Sequence, residues 1–186
     1  MKMKKLKKGE KGFTMVELLI AMLLTGIVAT AITGTILYVL NVNFSTANRM
    51  TAVRQVRNVG FWISPDVQMA RDVVPENNPA TPELLTLSWT DWATNYKHEV
   101  IYTLENMPSN EFKRLQREHK IYIDSELDST TTTILAEYID PDQTSIDPDD
   151  ACLFPFCGKF KFTVTATVGG QSETREYEVE TRPGSQ

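Results

Sequence analysis

The sequence predicts an α+β fold in which a long N-terminal helix, half membrane-spanning and half amphipathic, packs on a C-terminal antiparallel β-sheet head. Three observations carry this. Leu18–Leu40 is 23 residues without a charge. At about 1.5 Å per residue it makes a helix of roughly 34 Å, enough to cross a hydrocarbon core of about 30 Å. Beyond Asn41, the residues Val53, Val56, Gly60, Ile63, Val67, Ala70 and Val74 keep the three-and-four spacing of one helix face. Finally, Lys159–Val168 alternates strictly, with Phe160, Phe162, Val164, Ala166 and Val168 against lysines and threonines, and leads into Gly169-Gly170 as a hairpin turn.

Taken from the N-terminus, residues 1–12 read as a basic leader, 13–40 as the spanning segment, 41–74 as its amphipathic continuation and 75–186 as a β-rich globular head. The leader holds six lysines and one glutamate. By the positive-inside rule this end stays cytoplasmic and the chain beyond Leu40 lies outside. A secretory signal peptide has a shorter apolar core closed by a small-residue cleavage site, and neither is present. Within the span, small residues recur every fourth position: Gly26, Thr30 and Gly34 in one row, Ala21, Thr25, Ala29 and Thr33 in the next. Such rows let helix backbones approach closely, although glycine and threonine are also simply tolerated in membrane helices.

The amphipathic half carries Pro65, expected to kink the helix or to open a separate short one. Val74-Pro75-Glu76-Asn77-Asn78-Pro79 is expected to end it in a loop. The strands expected next are Leu84–Trp89 and Val100–Leu104. Phe112–Arg117 then pairs with Ile121–Ile123 around Glu118-His119-Lys120. Ile134–Ile139 follows the threonine run Thr130–Thr133, and Arg175–Thr181 follows the glycine turn. These strands cannot close a core alone, so the amphipathic helix face supplies the missing layer.

The whole chain is formally −5, and residues 13–186 carry −10 once the leader is set aside. That balance argues against nucleic acid as a partner, since such binding is driven by cations on phosphates. Cys152 and Cys157 are the only cysteines. They fall on the exported side with Pro155 between them suited to a tight turn, and an intramolecular disulfide is expected, with two buried free thiols as the alternative. His98 and His119 lie apart in the sequence, without a nucleophile or metal motif beside them, and read as surface residues. Trp62, Trp89 and Trp92 read as packing residues. The run Asp140, Asp142, Asp147, Asp149 and Asp150 offers calcium-type oxygens, but its prolines fit a plain solvated loop equally well. No enzyme chemistry, metal or cofactor is predicted.

The junction Lys11-Gly12-Phe13-Thr14-Met15-Val16-Glu17 closely resembles the type IV prepilin signal, in which a short basic leader ends in glycine and the mature chain opens on phenylalanine with glutamate at its fifth position. The resemblance implies the type IV pilin fold, cleavage between Gly12 and Phe13 by a prepilin peptidase, and N-methylation of Phe13. It also implies that Glu17 meets a free N-terminal amine during assembly. A bland alternative keeps an uncleaved signal anchor, with Glu17 a shallow, hydrated carboxylate favouring the helix N-terminus. The implied partners are the peptidase, other pilins or pseudopilins and an inner-membrane assembly platform. The implied place is a single-pass membrane protein with its head periplasmic or extracellular, later drawn into a pilus or pseudopilus. Further along, Glu99-Val100-Ile101-Tyr102-Thr103-Leu104-Glu105 followed by Phe112-Lys113-Arg114 resembles the strand pair of PilW-type minor pilins and J-type pseudopilins of type II secretion. The expected function is therefore a structural, minor filament subunit. A tip adhesin or substrate-binding subunit is the alternative.

Overall fold

A computed structural model describes residues 12–75, 82–108, 111–146 and 159–180. The chain forms two compact units, Met1–Phe44 and Ser45–Gln186. One helix, α1 (Met15–Met69), runs through both.

In the first unit α1 is exposed throughout, including Leu19, Ile20, Leu23, Leu24 and Ile27. It is long and apolar enough to cross a membrane, and its most apolar window buries nothing. Thr25, Thr30, Thr33 and Thr35 donate their hydroxyls to the carbonyls of Ala21, Gly26, Ala29 and Ala31 at 2.7–2.9 Å. Each hydroxyl is thereby satisfied inside the helix, which a segment surrounded by lipid requires.

In the second unit, α1 lays Ala52, Val56, Val59, Gly60, Ile63, Asp66 and Val67 against a sheet. Its strands are β1 (Asp72–Pro75), β2 (Glu83–Asp91), β3 (Tyr96–Asn106), β4 (Lys113–Ile123), β5 (Glu126–Ile139), β6 (Ser145–Ile146), β7 (Lys159–Val168) and β8 (Gln171–Glu180). The order among the described residues is β1-β2-β3-β4-β5-β7-β6, with β8 on the other side of β7, and every pairing is antiparallel. Leu85, Leu87, Val100, Tyr102, Leu115, Ile139, Phe160, Phe162 and Val164 face the helix from five of these strands and are essentially fully buried. The α+β architecture read from the sequence is thus observed, and both layers are needed to close the core.

Helix and sheet approach closely at Gly60. A Cβ there would strike the Tyr177 ring. The Tyr177 hydroxyl also donates to the Val56 carbonyl at 3.0 Å. Gly169 and Gly170 both have positive φ, 54° and 76°, as a two-residue hairpin turn of the primed type demands.

Several details differ from the sequence reading. Pro65 lies inside α1 without ending it. Proline removes the hydrogen bond to the Phe61 carbonyl, and both residues face solvent, so water can take that partner's place. The helix stops at Met69, and Val74 belongs to β1, where it is exposed. The turn expected at Glu118-His119-Lys120 is continuous strand, and the reversal comes at Asp124-Ser125, both with positive φ. The threonine run expected before a strand lies within one, since β5 begins at Glu126.

Candidate functional site

Gly12 and Phe13 precede α1, and Phe13 is 82% exposed. Thr14 caps the helix: its hydroxyl accepts the Glu17 amide N–H at 3.3 Å. Thr14-Met15-Val16-Glu17 therefore has the spacing of a capping box, a signal legible in the sequence itself. The Glu17 side chain is exposed, and among the described residues its carboxylate has no hydrogen-bonding or ionic partner. Gly26 and Gly34 leave open space where a side chain would be, and Thr30 bonds back to Gly26. One stretch of α1 thus presents a carboxylate, without a partner among the described residues, at the head of an exposed apolar surface with small-residue recesses.

The second unit holds a buried ionic cluster that local sequence did not announce. Asp66, the residue after Pro65, is 3% exposed on the inner face of α1. Arg117 on β4 grips it with two bonds, Nε to Oδ2 at 2.7 Å and Nη2 to Oδ1 at 3.1 Å. Tyr102, directly opposite Arg117 on β3, donates its hydroxyl to Oδ2 at 2.5 Å. The Trp62 ring lies 5.2 Å from the guanidinium carbon. Burial and the neighbouring Asp66 carboxylate push the Tyr102 hydroxyl far above its ordinary value, which keeps it a donor. Burial alone would lower the Arg117 pKa, but the bonds and charge of Asp66 outweigh it and raise it. The arrangement pins α1 to the centre of the sheet. Arg114, in Phe112-Lys113-Arg114, pairs instead with Glu137 at 3.0 Å on a half-exposed site. Leu115-Gln116-Arg117 supplies the arginine that meets Tyr102.

His98 and His119, read as separate surface residues, come together. His98 Nδ1 and His119 Nε2 are 3.0 Å apart, with ring centroids 5.2 Å apart and planes 27° from each other. One ring nitrogen can donate to the other, the roles being set by the tautomers. Trp89 lies within 5.2–5.9 Å of both rings. Burial, then the charges of Arg117 and His98, hold the His119 pKa below the usual imidazole range. Beside Trp89 is an open hollow of about 290 Å³ lined by Arg71, Asp72, Ser88, Trp89, Thr90 and Lys97. Trp62 is half-buried in packing, whereas Trp92 is 79% exposed. The Asp140 carboxylate is used by its own loop, accepting from the Asp142 and Gln143 amides and the Gln143 side chain. Cys152, Cys157, Asp147, Asp149 and Asp150 lie outside the described residues.

Residues 7–33 match the family model of the prokaryotic N-terminal methylation motif. The match takes in the Gly12-Phe13 junction, Glu17 and most of the apolar run. With the exposed helix that follows, it supports a type IV pilin-like protein, membrane-anchored and structural in character. No curated protein and no solved structure matches the chain.

Proposed function

We propose that the protein is a minor subunit of a type IV pilus or type II secretion pseudopilus, cut between Gly12 and Phe13 and assembled through α1. The observation that carries this is the methylation motif at residues 7–33 taking in the start of an exposed apolar helix whose first carboxylate, Glu17, has no partner among the described residues. Cleavage creates an amine on Phe13, four residues before Glu17. An unpaired carboxylate and an unpaired ammonium are each costly in apolar surroundings, and pairing across subunits relieves both. The row Gly26, Thr30 and Gly34 lets neighbouring helices pack closely once that pair sets their register. The leader lysines hold the cut site on the cytoplasmic side, and the head is exported. The minor role rests on the resemblance around Tyr102.

The test is co-expression with a prepilin peptidase, followed by N-terminal sequencing and mass measurement. Processing gives Phe-Thr-Met-Val-Glu with one added methyl group. An intact leader in cells containing active peptidase leaves only the signal anchor.

A further inference from the structure

We propose that the outer edge of β5 receives an extended segment of another exported polypeptide as an added strand. Among the described residues β1, β5, β6 and β8 each have an edge without a strand partner; β6 is only two residues long, and β1 and β8 are protected. β1 is four residues long and ends in Pro75, which has no N–H to give. β8 is lined with Glu173, Glu176, Glu178 and Glu180, and charge on an edge repels an incoming strand. β5 lacks both devices. Ser129-Thr130-Thr131-Thr132-Thr133-Ile134 carries no charge, proline or glycine and is built of strand-favouring residues. It pairs with β4 on one side, yet on the other it meets β7 only at Ile139.

The structure also shows where this opening ends. Tyr138 has a φ of 60°, in the left-handed region, and the register with β4 shifts between Lys113 and Leu115 opposite it and again between Leu115 and Gln116 opposite Leu135. Past these irregularities Ile139 still pairs with Lys113 on β4 and also meets Ala166 on β7. Along this stretch α1 closes the edge with two amide side chains. Asn58 donates to the Leu135 carbonyl at 2.5 Å, and Gln55 accepts the Glu137 N–H at 3.0 Å. Upstream, Leu127 and Ile134 are 55% and 51% exposed, and the alternate backbone groups between them have no strand partner on that side among the described residues. About seven residues, roughly 23 Å, are available for pairing.

The occupant follows from charge and direction. Glu126 and Asp128 flank the uncharged stretch, so the incoming segment is uncharged and β-branched through its middle with a lysine or arginine at the end beside them. The β8 edge of a second copy would bring glutamates there instead. Antiparallel pairing of β5 with β5 of a second copy turns about an axis normal to the sheet. That reverses the Ser45–Met69 part of α1, whereas chains inserted side by side in one membrane carry it in the same direction. This last exclusion rests on the membrane reading above; the chemistry of the edge does not.

The test uses the full chain in detergent micelles and a short end-blocked peptide alternating threonine and valine with a terminal lysine. Its fully N-methylated counterpart, unable to donate backbone hydrogen bonds, is the control. Hydrogen exchange should slow in β5 between Leu127 and Ile134, leave β8 unchanged, and fail to respond to the methylated peptide. Thr131→Lys, which adds an edge charge without touching the core, should bind about tenfold more weakly with an unchanged unfolding transition. If that variant misfolds, Thr130→Lys serves instead. No saturable protection, or equal protection of β8, overturns the proposal. So does a Thr131→Cys chain that cross-links to itself through β5, since a second copy is then the occupant. N-terminal sequencing tests the pilin reading separately, so either can fail alone.

Discussion

Replacing Arg117 by methionine should damage the head more than any surface change. Arg117 makes two charged hydrogen bonds to Asp66, at 2.7 and 3.1 Å, with both side chains more than nine-tenths buried. Methionine keeps much of the volume but leaves a buried carboxylate with only the Tyr102 hydroxyl. Breaking one side of a buried pair costs about 3–5 kcal/mol, against a total stability of roughly 5–15 kcal/mol for such a domain. The midpoint of thermal unfolding should fall by about 10 °C. Urea unfolding of the full chain in detergent can be followed by tryptophan fluorescence, because Trp62 lies against the guanidinium. Adding Asp66→Leu should recover most of the loss, since removing both charges is near neutral, less about 1 kcal/mol for the stranded tyrosine hydroxyl. A single variant within about 1 kcal/mol of the parent, or a double variant that loses the sum of both single losses, would refute the pin.

Gly60→Ala should lower stability by about 1–2 kcal/mol even though alanine favours helix, because its methyl meets the Tyr177 ring; an unfolding midpoint at or above the parent's defeats that contact. The His119 pKa is lowered in the folded state by burial, Arg117 and His98, so the unfolded chain binds this proton first. Stability should therefore be full above the ordinary imidazole value of about 6.5 and be lost as pH falls through the lower folded value. His119→Phe should flatten that part of the urea-midpoint profile, and an unchanged profile removes His119 as the cause.

Much of the fold was legible because it is written in local periodicity. The spacing Val56, Gly60, Ile63, Val67 and the alternation Phe160, Phe162, Val164, Ala166 point at the core they form. The misreadings have local causes. Val74 continues the helix spacing by coincidence but stands in β1. Glu118-His119-Lys120 has the polarity of a turn, yet its members alternate in a strand: Glu118 and Lys120 pair at 3.2 Å on one face while His119 turns to the other. The threonines of β5 are polar enough to read as lying before the strand, although β-branching favours strands. What no local pattern could supply was register. Asp66 and Arg117 are 51 residues apart and His98 and His119 are 21. Only the pairing of β3 with β4, and α1 laid across them, brings each set together. The N-terminal segment is the opposite case: Gly12, Phe13, Thr14 and Glu17 lie within six residues and need no fold to be read.

The central claim is that α1 joins subunits through Glu17, and the direct measurement compares parent and Glu17→Val chains in the membrane pool and in sheared filaments. Valine removes the charge and keeps the segment apolar. Insertion and leader cleavage should persist, the head should remain as protease-resistant as the parent's, and incorporation into filaments should fall sharply. Equal incorporation of both chains contradicts the account.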